Sequence, residues 1–266
     1  MSKNLYATMA CIAALTTPSF AIAQDDKASK DVEGYVQLSL GASILSDSDN
    51  SGSFAGDFTT GEGTSIPAGT VLPDGTPVGW TTSFDTGLSF GAAIGARYGA
   101  FRGELEFARQ GNDVDTHVGV EAGGIALGEE DAGVLVTGAD NLGVSVADLV
   151  ADGKGDIRTN FLLANVLYDF QNQSMITPYI GGGIGVGFVD VDYSPSDVPI
   201  IQDNSTAFAY QAIAGVTAAV GAKSDLFLAY RYRATSDVDV RADLFAADFD
   251  IENRASIVEI GFRHSF

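Results

Sequence analysis

The chain has two histidines and one cysteine, so the side chains that most often act as base, thiol nucleophile or metal ligand are scarce. His264 and Ser265 are adjacent and would be the obvious pair for a lipid-hydrolysing site. Neighbours in a strand point to opposite faces, however, and no acid is placed to orient the ring. His117 has no second His or Cys at metal-ligand spacing, and it is expected to be a solvated loop residue. The Gly-x-Gly spacing at Gly181, Gly183 and Gly185 lacks the following helix and lysine of a phosphate loop. The expectation is no catalytic residue, no cofactor and no protein metal centre.

Charge is what the chain holds in quantity: 14 Lys and Arg against 35 Asp and Glu, for a net charge of -21. That balance argues against nucleic acid as a partner, because phosphate binding needs clustered cations. Two groups, Asp237, Asp239, Asp243, Asp248, Asp250 and Glu252, and then Glu129, Glu130 and Asp131, supply oxygens of the kind that hold calcium. Neither reproduces an EF-hand loop. The expected role is a hydrated, self-repelling surface, with divalent cations at these loops, or bridging them to lipopolysaccharide, as the alternative. A second set behaves differently. Arg97, Arg102, Arg231, Arg233 and Arg263 and the acids Glu104, Glu106, Asp169 and Glu259 each alternate with apolar neighbours, and the two signs nearly cancel. Ion pairing in a confined space is the chemistry open to them, since a charge withdrawn from water is costly unless paired.

Those charges lie on period-2 segments bounded by turn residues. Eight can be marked: residues 34–44, 87–98, 101–110, 159–170, 177–189, 206–220, 225–234 and 256–266. Short turns alternate with four long connections, 46–86, 111–158, 190–205 and 235–255, and most of the acidity falls in the long ones. An all-β, eight-stranded antiparallel up-and-down transmembrane barrel has this asymmetry, with short periplasmic turns and long extracellular loops. Lipid tolerates only the apolar faces, so the charged faces must line the lumen. Gly181, Gly183, Gly185 and Gly187 would then face inward, where long Arg and Glu side chains are expected to crowd the backbone.

Aromatic placement agrees with two membrane interfaces. Outward Tyr98, Phe101, Tyr168 and Phe170 fall beside the short turns, while Phe107, Phe188, Tyr210 and Tyr232 fall toward the long connections. Val258, Ile260, Phe262 and Phe266 line one face of the last segment in a pattern similar to the terminal signal read by the outer-membrane assembly machinery. His264 departs from it by standing at an apolar position. At the other end, Lys3, an apolar run to Leu15 and Ala21-Ile22-Ala23 read as a signal peptide cleaved after Ala23. The barrel domain would then be 24–266, and Cys11 would leave with the leader.

The run Asn165-Val166-Leu167-Tyr168-Asp169-Phe170 followed by Thr177-Pro178-Tyr179-Ile180-Gly181-Gly182-Gly183-Ile184-Gly185-Val186 resembles the central hairpin of the OmpA-like barrel families, which include opacity proteins and bacterial surface antigens. Segments 101–107 and 208–216 resemble their third and sixth strands. The resemblance implies a monomeric, non-enzymatic barrel in outer-membrane lipid, without the peptidoglycan-binding domain of OmpA. It leaves the role open between a structural surface protein, an adhesin or partner-binding antigen, and a narrow pore. For adhesion, Trp80 is the one modest candidate for an exposed apolar contact.

Overall fold

The computed structural model describes residues 32–242 and 246–266. The signal-peptide residues and Asp243 lie outside them. Eight long strands carry the chain: β1 (Glu33–Leu45), β2 (Gly87–Tyr98), β3 (Phe101–Ala122), β4 (Gly155–Asp169), β5 (Ile176–Tyr193), β6 (Ile201–Ala219), β7 (Ser224–Thr235) and β8 (Arg254–Ser265). Each pairs antiparallel with its sequence neighbours. Pairing of β1 with β8, from Tyr35 opposite Ser265 to Leu45 opposite Ala255, closes the ring. No edge is left for the membrane to solvate, which hydrocarbon requires. The β2–β3 turn is made at Gly99, whose φ of 61° is open to glycine at little cost.

Inside the membrane zone the outward residues are large and apolar. Leu38, Leu40, Ile94, Leu105, Val166, Ile184, Leu228 and Ile260 are all exposed, as a lipid-facing surface must be. The aromatics bracket this band: Tyr98, Phe101, Tyr168 and Phe170 near the short turns, Phe107, Phe188 and Tyr210 exposed toward the other end, with Tyr232 half-buried beside them. Val258 and Phe262 also face outward, and the backbone N–H of Phe266 donates to the Gly34 carbonyl at 2.9 Å.

Several strands run well past the ends the sequence suggested. β3 continues to Ala122, β5 to Tyr193, and β4 and β6 begin at Gly155 and Ile201. The reason is a reversal of polarity along a single strand. On β5, Ile184, Val186 and Phe188 face outward over inward glycines, whereas beyond them Val189, Val191 and Tyr193 turn inward and Asp190 faces out. Lipid outside favours the first pattern and water outside the second. Additional strands Ser48–Phe54, Pro77–Phe84, Val238–Arg241 and Ala247–Ile251 join this extension. Together they form a β-cap with its own apolar core, in which Phe54, Val78, Val146, Phe249 and Ile251 pack.

The structure corrects four expectations, the first three through the cap. His117 is 4% exposed because it sits on the extension of β3, with Trp80 and Tyr193 rings at 6.4 and 5.0 Å. Trp80 is buried against Phe249 at 4.7 Å and offers no exposed contact. Glu130 and Asp131 are buried rather than hydrated. Glu130 accepts from Ser65 and Ile66, and Asp131 from the backbone N–H groups of Gly133, Leu142 and Gly143, so both latch loops in place. Finally, the inward glycines of β5 are crowded by the neighbouring strand and not by long charged side chains. A Cβ at Gly181 would lie 2.7 Å from the Leu167 side chain, and one at Gly187 would lie 3.2 Å from the Phe161 ring. Phe161, Leu163 and Leu167 point inward from β4 and fill that wall with apolar bulk.

Candidate functional site

The lumen is the first site defined by converging side chains. Four arginines, Arg102, Arg231, Arg233 and Arg263, and four carboxylates, Glu104, Glu106, Asp169 and Glu259, are each no more than 6% exposed. Alternation puts them there: every one sits at an inward position of its strand.

Glu106 is the hub. Its Oε2 accepts from Arg231 Nη1 at 2.9 Å, Asn165 Nδ2 at 2.6 Å and Gln211 Nε2 at 2.9 Å, and its Oε1 accepts from Arg233 Nη2 at 2.9 Å. Arg231 Nε donates in turn to Glu259 at 2.6 Å, and Ser39 donates to the other Glu259 oxygen at 3.1 Å. Strands β1, β3, β4, β6, β7 and β8 are thus tied across the interior. A second network lies nearer the short turns. Arg102 donates to Asp169 at 3.0 Å and to Glu104 at 3.0 Å, and Tyr35 donates to the same Glu104 oxygen at 2.7 Å. Glu104 therefore pairs along its own strand, while Glu106 alone of the two reaches the β7 arginines.

Arg97 is half-buried at the mouth, 3.5 Å from Asp169, 3.6 Å from Glu33 and 3.9 Å from Asp225. Arg263 is the least well served. It donates to Gln37 at 3.2 Å and has a carboxylate, Asp225, only at 3.9 Å. The Tyr35 and Phe227 rings lie 5.1 and 5.5 Å from its guanidinium carbon, close enough for cation–π attraction. Sequence reasoning missed the neutral members Tyr35, Gln37, Asn165 and Gln211 and the acid Asp225. Each stands at an inward position, so the same parity that found the charges would have found them.

The acids on the outer face of the cap are exposed or half-buried. Asp113, Asp156 and Asp192 lie opposite one another across β3, β4 and β5. Burial and the neighbouring Asp192, Asp113 and Asp190 push the Asp156 carboxyl up, against the pull of Arg158. Asp250 is likewise raised by sharing a hydrogen bond with Asp239. Among the described residues no group of His, Cys, Asp and Glu is arranged to hold a metal ion. The two histidines are apart: His264 is exposed at the short-turn end, opposite the first residue of β7, with Nδ1 3.1 Å from Ser224 Oγ, while Ser265 is buried on the opposite face.

A closed ring of eight strands with a lipid-facing band and a charge-paired interior defines an outer-membrane β-barrel. The chain belongs to the surface antigen family, whose profile matches residues 78–252. Among solved structures it is similar to Neisserial surface protein A, with 18% identity over 88% of this chain and 97% of that one and a TM-score of 0.47. It is also similar to the outer membrane protein OprG from Pseudomonas aeruginosa, with 15% identity over 90% and 97% and a TM-score of 0.49. A third is the outer membrane protease OmpT from Escherichia coli, with 8% identity over 87% and 97% and a TM-score of 0.42. No curated protein matches the chain.

Proposed function

We propose that this chain is a monomeric, non-enzymatic surface protein whose sealed barrel anchors an acidic β-cap outside the cell, after cleavage of a signal peptide near Ala23. The observation that carries the reading is the Glu106 hub. Hydrogen bonds from Arg231, Arg233, Asn165 and Gln211 converge on one carboxylate, so the lumen is occupied by side chains that hold one another in place, and eight strands leave little space beyond them. The non-enzymatic part is supported by the histidines. His117 is enclosed in the cap, and the ring of His264 meets Ser224 with no carboxylate orienting it among the described residues.

Purified protein in planar bilayers tests this directly. Sustained conductance should be absent, and stable nanosiemens-scale channels from monomeric protein would overturn the sealed barrel in favour of a pore. Val71, Ile125 and Leu142 on the cap are more than half exposed, which favours partner contact by the cap as a second reading. Replacing all three with Ser should then weaken host-cell or matrix binding without changing the amount of folded protein at the surface.

A further inference from the structure

The cap core is incompletely filled. Between the Ser48–Phe54 and Pro77–Phe84 strands, the extension of β3 and the loops above them lies a cavity of about 110 Å³. Its walls include Phe54, Phe58, Leu72, Val78, Trp80 and Val120. An apolar cavity of roughly 150 Å³ stays dry and admits benzene, so this one is of the size for a single ring or a short carbon chain. At the rim, Ile125 is 56% exposed and Phe58 and Leu72 are half-buried, which gives a ligand a route in from the extracellular face.

Two polar groups on this wall are unsatisfied. Tyr193 Oη and His117 Nε2 are buried with no partner in hydrogen-bond geometry. The proton on His117 can be placed from its surroundings. Thr82 Oγ1 accepts from Asn50 Nδ2 at 2.7 Å and from Trp80 Nε1 at 3.1 Å. A hydroxyl oxygen has two lone pairs and one hydrogen, and Thr82 has thereby used both lone pairs. Its hydrogen must go to His117 Nδ1, 2.8 Å away. Nδ1 is then an acceptor, and the neutral ring carries its hydrogen on Nε2. A buried donor left unmade is costly, and a ligand oxygen would satisfy it.

We propose that the cap binds a small neutral molecule with a one-ring or short-chain apolar body and one hydrogen-bond acceptor, such as a ketone or ester, received by His117 Nε2–H. Specificity follows from the same asymmetry. The apolar wall accepts any body of suitable size, while the isostere lacking an oxygen leaves Nε2–H unpaired.

The chain's two histidines, His117 and His264, make the test site-specific. Protein labelled with 15N-histidine in lipid nanodiscs, at pH 7, should show His117 as the Nε2–H tautomer. Acetophenone should shift the His117 ring signals saturably while leaving His264 unmoved, and ethylbenzene should bind about tenfold more weakly, the worth of one buried hydrogen bond. Filling the cavity by Val120→Phe, or by Leu72→Phe where the first variant fails to fold, should abolish the shift. The Nδ1–H tautomer, a shift that never saturates, equal movement of His264, equal affinity for ethylbenzene, or an undiminished response in a folded cavity-filled variant would each overturn the proposal. None of these readouts depends on whether the lumen conducts.

Discussion

Glu106 receives four side-chain hydrogen bonds, two of them from buried arginines, and so its replacement distinguishes shape from charge. Glu106→Gln keeps the volume but leaves Arg231 with Glu259 alone and Arg233 with no carboxylate in contact. An uncompensated buried charge costs roughly 3 to 5 kcal/mol. The temperature at which the folded form is lost in detergent gels should fall accordingly, and an unchanged temperature would deny the hub its part in stability. His117 gives a pH-dependent counterpart in the cap. Burial pushes its imidazole down to about 4, with Asp152 opposing. As pH falls through about 6.5 the unfolded chain takes up a proton that the folded one refuses until about pH 4, so stability is full above that window and falls within it by about 3 kcal/mol. Asp156, whose carboxyl is pushed up, works in the opposite direction. Denaturation of the cap followed by Trp80 emission should therefore have a steeper acid dependence in the native protein than in His117→Gln. Equal dependence in both would show that His117 is not the group being titrated.

At the scale of the element, the transmembrane halves of the strands were legible because lipid imposes one rule, apolar outside, on every second residue. Pairs such as Arg102 with Glu104 and Arg231 with Arg233 keep the inward parity of β3 and β7, and so does nearly every residue of the lumen networks. The cap was illegible for the same reason. On 111–115 and 190–193 the alternation continues in phase, but Asp113, Asp115 and Asp190 take the outward positions and Val114 and Val191 the inward ones. An irregularity in the pairing at Asp115 then shifts the phase, so that His117 is buried and Val118 exposed. Read for a lipid-facing surface, such a segment looks like an acidic loop. His117 and Trp80 were misplaced with it, since a lone ring in a presumed loop carries no sign that another strand will cover it. Specific pairing was beyond the sequence too: Glu104 and Glu106 differ by two residues and share a face, yet only the barrel's stagger decides which reaches Arg231. The reversal itself can be tested. Val191→Asp places a carboxylate in the cap core, where Val191 is 1% exposed, and should make the cap sensitive to proteolysis on intact cells. Asp190→Asn, one residue earlier on the wetted face, should leave resistance unchanged. Equal effects from the two would mean that the strand does not reverse polarity there.

For the whole molecule, the fold separates two ends that face different solvents. The short turns at Gly99, Gln171–Ser174 and Gly221–Lys223 cluster at one end with Arg97, Asp225 and the Gln171 side chain bonded to the Gly99 carbonyl. The cap stands at the other, carrying the acidic rows on its outer face. An outer-membrane barrel is expected to place its longer connections outside, which orients the cap toward the extracellular medium. A protease-cleavable tag between Thr137 and Gly138 should report this, because both are exposed, Gly138 has φ of 73°, and space beside it is open. The same tag at Gln173 occupies an exposed turn at the opposite end. Gly153 is a poorer position despite lying in a long connection, since a side chain there would collide with the Asp115 backbone. Intact cells should lose the Thr137 tag to added protease and keep the Gln173 tag, with both cut once the outer membrane is opened. The reverse pattern would invert the barrel, placing the His117 cavity in the periplasm, where an extracellular ligand or partner could reach neither it nor the acidic face.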